Sequence, residues 1–247
     1  MKGGDSAALN WFDSPVGGTV LREESALARH ALDDVFGFEL LQVGTWGPAR
    51  HLLGAARTQH TTLLAPEPKA GVTLCAPLTS LPFASDSIDA ILLPHTLELV
   101  EDPYAVLREA ERVLVAEGCL LICGFNPWSG WGARRLFGHL LRRPAFPPHT
   151  RRLLAERRLR DWVALLDFEV ADVFGYLGSL PIAGRRRLMS DGTPLEAPYR
   201  QRGTLNAGGY LLKARKRVQT LTLVRPRRRA RQRVLVPASE PTSKVGS

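Results

Sequence analysis

The sequence predicts an α/β fold with a mostly parallel sheet and helices on both faces. Short apolar runs, typical of strands buried on both sides, alternate with segments in which apolar residues recur at helical spacing. The first run, 38–43, ends in a glycine turn from Gly44 to Gly47, and later runs end at prolines. At 247 residues the chain suits one such domain. We expect ligands to bind at the carboxyl ends of the strands.

The predicted elements begin with a helix that Thr19 can cap and that runs to Phe36. The strand at 38–43 and the glycine turn give way to a helix at 49–56. Three further strands follow, and the last of them has the apolar run of a doubly buried strand. These three strands are predicted at 61–65, 72–75 and 86–93.

In the second half of the chain, Asp102 and Pro103 open a helix that is predicted to end near Glu117. A fifth strand, 119–125, comes directly after it. Two strand-like runs near the end can pair as an antiparallel hairpin and complete a seven-stranded sheet. The last predicted elements are a helix at 153–166 and strands at 168–176 and 209–214.

The net charge of +9 is concentrated at the end of the chain. Residues 213–247 contain eleven basic residues and one acid, whereas residues 1–212 are nearly neutral. The arginine-rich stretch has no strand or helix period, which predicts a disordered arm. We therefore divide the chain into a leader at 1–18, a domain at 19–217 with an Arg- and Trp-rich lid at 126–160, and a basic tail at 218–247. The tail either keeps the protein in solution or binds nucleic acid weakly.

Several classes of function have no support in the sequence. No stretch reaches the roughly 18 apolar residues of a membrane span, and no apolar signal segment follows Met1, so we expect a cytoplasmic protein without a membrane partner. The three cysteines form no CxxC pair, and no metal site is predicted. A phosphate-binding GxxxxGK[ST] loop, a GxSxG nucleophile turn and the GxGxxG of nicotinamide enzymes are all missing.

One long stretch resembles a known family. It contains LPF at 81–83, an xSxD turn, the apolar strand, LE at 97–98 and DP at 102–103, followed by RE, RVL and EGCL up to residue 120. This order resembles the type 11 methyltransferase domain of the class I S-adenosylmethionine-dependent methyltransferases. The similarity extends to a smaller bacterial branch through GFNPWSGWGARR at 124–135, and it covers residues 15 to 217. It implies a Rossmann-like fold with a seven-stranded sheet and a C-terminal antiparallel hairpin.

The resemblance also implies a site for S-adenosylmethionine, although several of its positions have changed. Gln42 stands where the family has an acid, Ala65 where it has the ribose-binding acid, and Trp46 stands within the glycine turn. Glu67 is the nearest replacement for the ribose acid. Each lost hydrogen bond is expected to cost about 1–3 kcal/mol of cofactor binding. The residues predicted to contact the cofactor are Gln42, Gly44, Thr45, Trp46, Gly47, Glu67, Leu78, Pro94 and His95.

Two residues are candidates for the chemistry. His95, at the end of the fourth strand, is either a general base or a hydrogen-bonding residue. Asn126, after the fifth strand, can contact the methyl acceptor, which we expect to be a small molecule. If the arginines of the lid converge, that acceptor is anionic; otherwise they form a solvated face. Methyl transfer needs mainly the positioning of acceptor and methyl group, and a base only where the acceptor loses a proton.

Three functions remain open. The first is methyl transfer, the second is a binding or scaffold protein that kept the fold and lost the cofactor, and the third is association with nucleic acid through the tail. Trp46 separates the first two, because its ring is either a wall of a working pocket or a plug that fills it. We expect a wall, so that Trp46→Gly would weaken cofactor binding. The sequence leaves the oligomeric state open.

Overall fold

The structure is a computed structural model of the chain, and it describes residues 11–133, 135, 150–178 and 207–217. The predicted tail and the centre of the predicted lid lie outside the described residues. The helices are α1 (Pro15–Ala31), α2 (Thr96–Leu99), α3 (Pro103–Val113) and α4 (Glu156–Leu165). The strands are β1 (Glu39–Val43), β2 (His60–Ala65), β3 (Leu74–Cys75), β4 (Ile88–Pro94), β5 (Leu114–Phe125), β6 (Phe168–Tyr176) and β7 (Gly209–Lys216).

The seven strands form one sheet in the order β3-β2-β1-β4-β5-β7-β6. β1 pairs in parallel with β2 on one side and with β4 on the other, and β4 pairs in parallel with β5. β7 lies antiparallel to both β5 and β6. The predicted fold class is therefore confirmed, including the C-terminal antiparallel pair. The strand order reverses between β1 and β4, and this is the switch point at which open α/β sheets bind ligands.

The start of α1 corrects the sequence prediction. The helix begins at Pro15, and the side chain of Ser14 caps it by accepting a hydrogen bond of 3.1 Å from the Gly17 nitrogen. A proline at the first helical position favours this start, since its φ is already helical and its nitrogen needs no acceptor. Thr19 is instead inside the helix, where its hydroxyl donates to the Pro15 carbonyl. The prediction of Thr19 as the cap was wrong, and the helix also ends earlier than Phe36.

Other helix and strand boundaries also differ from the prediction, because a local sequence pattern does not show where backbone hydrogen bonding ends. The helix expected at 49–56 is a single 3-10 turn at Leu53–Ala55, preceded by Arg50 in a left-handed conformation with φ 64°. β3 contains only Leu74–Cys75, because only these two residues pair with β2. α3 ends at Val113 rather than near Glu117, and β5 begins at once. Glu117 itself lies within β5 with a φ of 61°.

Two apolar cores lie on the two faces of the sheet. Alternate residues of each strand point to opposite faces, so that Leu40 packs in the core beside α1 and Leu41 in the core beside α3 and α4. Each core includes the apolar side of its own helices, for example Leu27 of α1 and Val106 of α3. In the described part of the chain, no helix combines the length and apolarity that crossing a membrane requires.

The first four basic residues of the C-terminal region belong to the sheet or directly follow it. Lys213 and Arg215 of β7 pair with Asp34, at the end of α1. Lys216 pairs with Asp86 and Glu111. Part of the positive charge that the sequence assigns to the end of the chain is therefore neutralised within the domain, and this lowers the charge available to a polyanion.

Candidate functional site

The candidate site lies at the switch point, where the loop after β1 meets the end of β4. Gly44 and Gly47 both have left-handed backbones, with φ of 90° and 66°. A side chain at Gly44 would come within 2.6 Å of the Thr96 hydroxyl, which donates a hydrogen bond to the Val43 carbonyl. The turn therefore requires glycine for its conformation and for its close contact with α2.

His95 follows β4 and is completely buried. Its backbone is left-handed, with φ 54°, which is uncommon for a residue with a side chain and occurs mostly where surrounding contacts impose it. Both ring nitrogens have acid partners: Nδ1 lies 2.8 Å from Glu98 Oε2, and Nε2 lies 2.8 Å from Glu24 Oε1. The imidazole is thus fixed at both ends inside the protein.

Glu24 connects helix α1 to this site, and its side chain is also buried. Its Oε1 accepts the Tyr176 hydroxyl at 2.8 Å in addition to His95, and its Oε2 accepts the indole N–H of Trp46 at 2.9 Å. Glu98 receives the backbone N–H of Phe125 at 2.9 Å. We call Glu24, Trp46, His95, Glu98 and Tyr176 the buried network. A charged group that is buried away from water needs several hydrogen bonds to offset its lost hydration, and the buried network supplies them.

The network keeps His95 protonated at neutral pH. Burial by itself lowers the pKa of the imidazole, but the charges and hydrogen bonds of Glu24 and Glu98 outweigh it and raise the pKa to about 9. Burial raises the pKa of Glu98, although His95 and the backbone donors oppose the rise. A general base needs a free lone pair, and a doubly hydrogen-bonded imidazolium has none. The hypothesis that His95 is a base therefore has no support in this arrangement.

Aromatic rings pack against His95. The Trp46 and Phe125 ring centroids each lie 4.2 Å from that of the imidazole, and these two rings contact each other at 5.9 Å. Phe12, from the segment before α1, packs edge-on against Trp46 at 5.0 Å. Trp46 is only 5% exposed. A wall residue would face an open pocket, so the expectation that Trp46 is a wall is wrong: its ring fills the space at the switch point.

The residues predicted to line the cofactor cleft do not form one continuous lining. Gln42, Gly44, Trp46 and His95 are buried at the switch point, and Pro94 is buried beside them at the end of β4. Thr45 and Gly47 are partly exposed in the loop.

Glu67 is exposed beyond the end of β2, whereas Ala65, at the expected position of the ribose acid, is buried. Leu78 packs against the core on the α3 side, whereas Trp46 belongs to the core on the α1 side. Leu78 and Trp46 thus contact different cores, and the contact of Leu78 with the cofactor stays a prediction.

Asn126 has a structural position. Its side-chain nitrogen donates to the Ala207 carbonyl at 3.2 Å, and its side-chain oxygen accepts the Trp128 nitrogen at 3.0 Å. The amide thus connects the end of β5 to the residues that precede β7, and both of its ends have partners. An amide used in this way is a poor candidate for contact with a methyl acceptor, which was its predicted role.

The described arginines of the lid do not converge on the site. Arg135 donates to the Thr150 carbonyl, Arg151 pairs with Glu101, and Arg152 donates to the Glu101 carbonyl. These contacts fasten the segment to the domain. Arg134, Arg142 and Arg143 lie outside the described residues, so the prediction of an anionic acceptor depends on them alone.

In this arrangement the residues do not fit the sulfonium cofactor. The space outside the ends of β1 and β4 contains the Trp46 ring, and the acids expected at positions 42 and 65 are replaced by glutamine and alanine. A surface groove of about 420 Å³, lined by Arg160, Phe168 and Arg217 among others, lies at the opposite edge of the sheet, where β6 begins. It lies away from the switch point, so it cannot serve as the cofactor pocket there.

Glu24 and Tyr176 are the site residues that sequence reasoning missed. They lie 71 and 81 positions from His95, so no local spacing connects them to it. One signal was present for Glu24: the buried positions of α1 include Val20, Glu24 and Leu27, which puts an acid on the apolar stripe of the helix. An acid on a buried stripe indicates a partner elsewhere in the fold.

Comparison with known proteins agrees with this fold. The model of the methyltransferase domain family of type 11 matches residues 50–122. The protein YafS of Escherichia coli is 36% identical over 160 residues, which cover 65% of this chain and 65% of YafS. The match therefore spans slightly less than two thirds of that relative.

Solved structures of low sequence identity share the fold. One is an S-adenosylmethionine-dependent methyltransferase of Thermotoga maritima, described as a possible histamine N-methyltransferase, with a TM-score of 0.54 and 18% identity over 84% of this chain and 94% of that one. Another is an S-adenosylmethionine-dependent methyltransferase of Archaeoglobus fulgidus, with a TM-score of 0.57 and 10% identity over 79% and 94%. Residues 50–122 thus match the type 11 methyltransferase domain, and the chain shares the fold of S-adenosylmethionine-dependent methyltransferases.

Proposed function

We propose that this protein is an S-adenosylmethionine-dependent methyltransferase with a small-molecule acceptor, and that the structure represents its closed state. The observation that carries the proposal is the left-handed turn from Gly44 to Gly47 at the switch point between β1 and β4. Such a turn lets a ligand approach the backbone closely, and it stands where ligands of open α/β sheets bind. The family match over β4, α3 and β5 supports the same activity.

A second candidate is a binding or scaffold protein that kept the fold and lost the cofactor. The position of Trp46 favours it, because the ring is packed on three sides and hydrogen-bonded through its indole N–H. Gln42 and Ala65 favour it as well, since neither supplies the negative charge that the family uses. Association with nucleic acid stays a prediction, because the tail lies outside the described residues.

Calorimetric titration with S-adenosylhomocysteine separates the two candidates. We use the wild type, Trp46→Gly, and Trp128→Gly as a matched control, because Trp128 is 81% exposed. We expect the wild type to bind and Trp46→Gly to bind more tightly, since the glycine removes the ring from the site. Loss of a buried tryptophan lowers the free energy of unfolding by about 3–5 kcal/mol, so Trp46→Gly can unfold. Circular dichroism therefore checks that each variant is folded before titration.

Two results would overturn the proposal. Binding by Trp46→Gly alone would show that the native chain keeps the site filled, which supports the second candidate. Absence of binding in all three proteins would show that the substitutions at positions 42 and 65 have removed the cofactor site. Unchanged binding by Trp128→Gly is expected in either case, because its ring is in solvent.

A further inference from the structure

β6 is the last strand of the sheet, so one of its two edges has no neighbouring strand in the described part of the chain. Alternate N–H and C=O groups along such an edge point away from the sheet and can pair with another extended segment. A register shift between Val170 and Asp172 leaves Ala171 outside the ladder, and a bulge of this kind hinders pairing where it stands. The bulge does not protect the stretch from Phe168 to Val170, which precedes it.

The surface groove of about 420 Å³ lies at this unprotected stretch. Its lining residues come from α4 and the turn after it, from the first three residues of β6, and from Arg217. Ala164, Phe168 and Val170 make part of the lining apolar, and the remaining lining residues are charged. Apolar contact area beside charged groups is typical of surfaces that bind another protein segment.

The last described residue of the chain lies in this groove. Arg217 is one of the lining residues, and its backbone N–H donates to the Asp167 carbonyl at 3.0 Å. Its side chain pairs with Glu169 of β6, also at 3.0 Å. Residue 218 therefore starts at the groove. A segment joined to a site by a short connection has an effective concentration there on the order of millimolar, so weak contacts are enough to hold it.

The first seven residues of the tail differ in composition from the stretch that follows them. Residues 218–224 have the sequence VQTLTLV, without a charged residue, whereas residues 225–233 contain six arginines. Valine, leucine and threonine suit an extended backbone packed on one side, and Leu221 and Leu223 lie on the same side of an extended segment. An uncharged segment of this kind pairs readily with other chains when it is exposed, so the protein gains if its own surface covers it.

We propose that residues 218–224 fold back into the groove and pair with the edge of β6 at Phe168–Val170, with Leu221 and Leu223 on the apolar part of the lining. The length is sufficient: if a turn takes the first two or three residues, the rest span roughly 13–17 Å, and the three residues of β6 span about 10 Å. The docked segment covers the open edge and its own apolar side chains together. The arginine-rich stretch then begins outside the groove. This inference is independent of the proposed function.

Hydrogen exchange measured by mass spectrometry tests the docking with three proteins: the full chain, a chain ending at Val224 and a chain ending at Arg217. All three keep every described residue. We expect amides in the peptide that covers 164–170 to exchange about tenfold faster in the chain ending at Arg217, because the open edge loses its partner. The chain ending at Val224 should exchange like the full chain. Peptides from β4 and β5 are the standard and should not change. Equal exchange in all three proteins, or faster exchange across the whole sheet, would overturn the inference.

Substitutions in the full chain test which side chains hold the segment. We expect Leu221→Ser combined with Leu223→Ser to speed exchange at 164–170 as much as the truncation at Arg217 does, because the segment loses its apolar contacts. Leu235→Ser, a matched leucine beyond the arginines, should have no effect. An equal effect of Leu235→Ser, or none from the double substitution, would overturn the inference. Protection at 164–170 that falls on dilution of the full chain would also overturn it, because a second copy would then cover the edge.

Discussion

The two ends of the sheet use charged residues in opposite ways. At the carboxyl ends of β1 and β4, Glu24, His95 and Glu98 are buried and joined to one another. At the amino ends, acids such as Asp33 and Asp86 remain more than half exposed while they pair with basic residues. Exposed pairs contribute little because water and salt screen them, whereas a buried group is costly as soon as one partner is lost. The carboxyl end is therefore where the fold keeps charged groups buried, although each of them lowers the free energy of unfolding if its partner is lost.

The largest expected effect is that of Glu24→Gln. The substitution keeps the shape of the side chain and removes its charge, so His95 loses one of the two carboxylates that hold its proton. Removing one partner of a buried charge typically costs 3–5 kcal/mol, and we expect a loss of about that size in the free energy of unfolding. Urea denaturation measures it. A loss under about 1 kcal/mol would mean that the carboxyl end behaves like the amino end.

The pH dependence of stability gives the next effect. The pKa of His95 rises from its usual 6.5 to about 9 on folding, so its stabilising contribution is complete below pH 6.5 and is lost as the pH approaches 9. The raised pKa of Glu98 acts in the same direction. We expect the free energy of unfolding to fall by up to about 3 kcal/mol between pH 6.5 and 9.

Urea denaturation at several pH values measures this slope, with His60→Gln as a control because His60 is exposed. The control should show the same slope as the wild type. Stability that stays constant or increases over this range would show that His95 is not held as an imidazolium.

The smallest expected effect is that of Asp33→Asn, at the amino end. Asp33 pairs with Arg57 at 2.5 Å, and both side chains are about half exposed. Exposed pairs are worth about 0–1 kcal/mol, so the variant should lose no more than that, and less at high salt. Thermal unfolding at low and high ionic strength measures it. A loss comparable to that of Glu24→Gln would remove the contrast between the two ends.

The sequence by itself determined the fold class, because the apolar runs at 38–43, 61–65, 72–75, 86–93 and 119–125 alternate with turn residues and helical patterns. The order of motifs from LPF at 81–83 to the end of β5 indicated the family without any coordinates. It also located the switch point, since the glycine turn and His95 lie directly after two apolar runs. It misplaced element ends such as the start of α1, where Ser14 and Pro15 outweigh Thr19.

Only the tertiary structure decided what occupies the switch point. Whether Trp46 lines a pocket or fills it depends on Glu24 and Phe12, which lie 22 and 34 positions away. The state of His95 depends on a carboxylate from α1 and a hydroxyl from β6. Hydrophobic period fixes which face of an element is buried, but it carries no information about which buried polar groups meet. That pairing follows from the packing of α1 across the ends of β1 and β4, which brings Glu24 to His95 and Trp46.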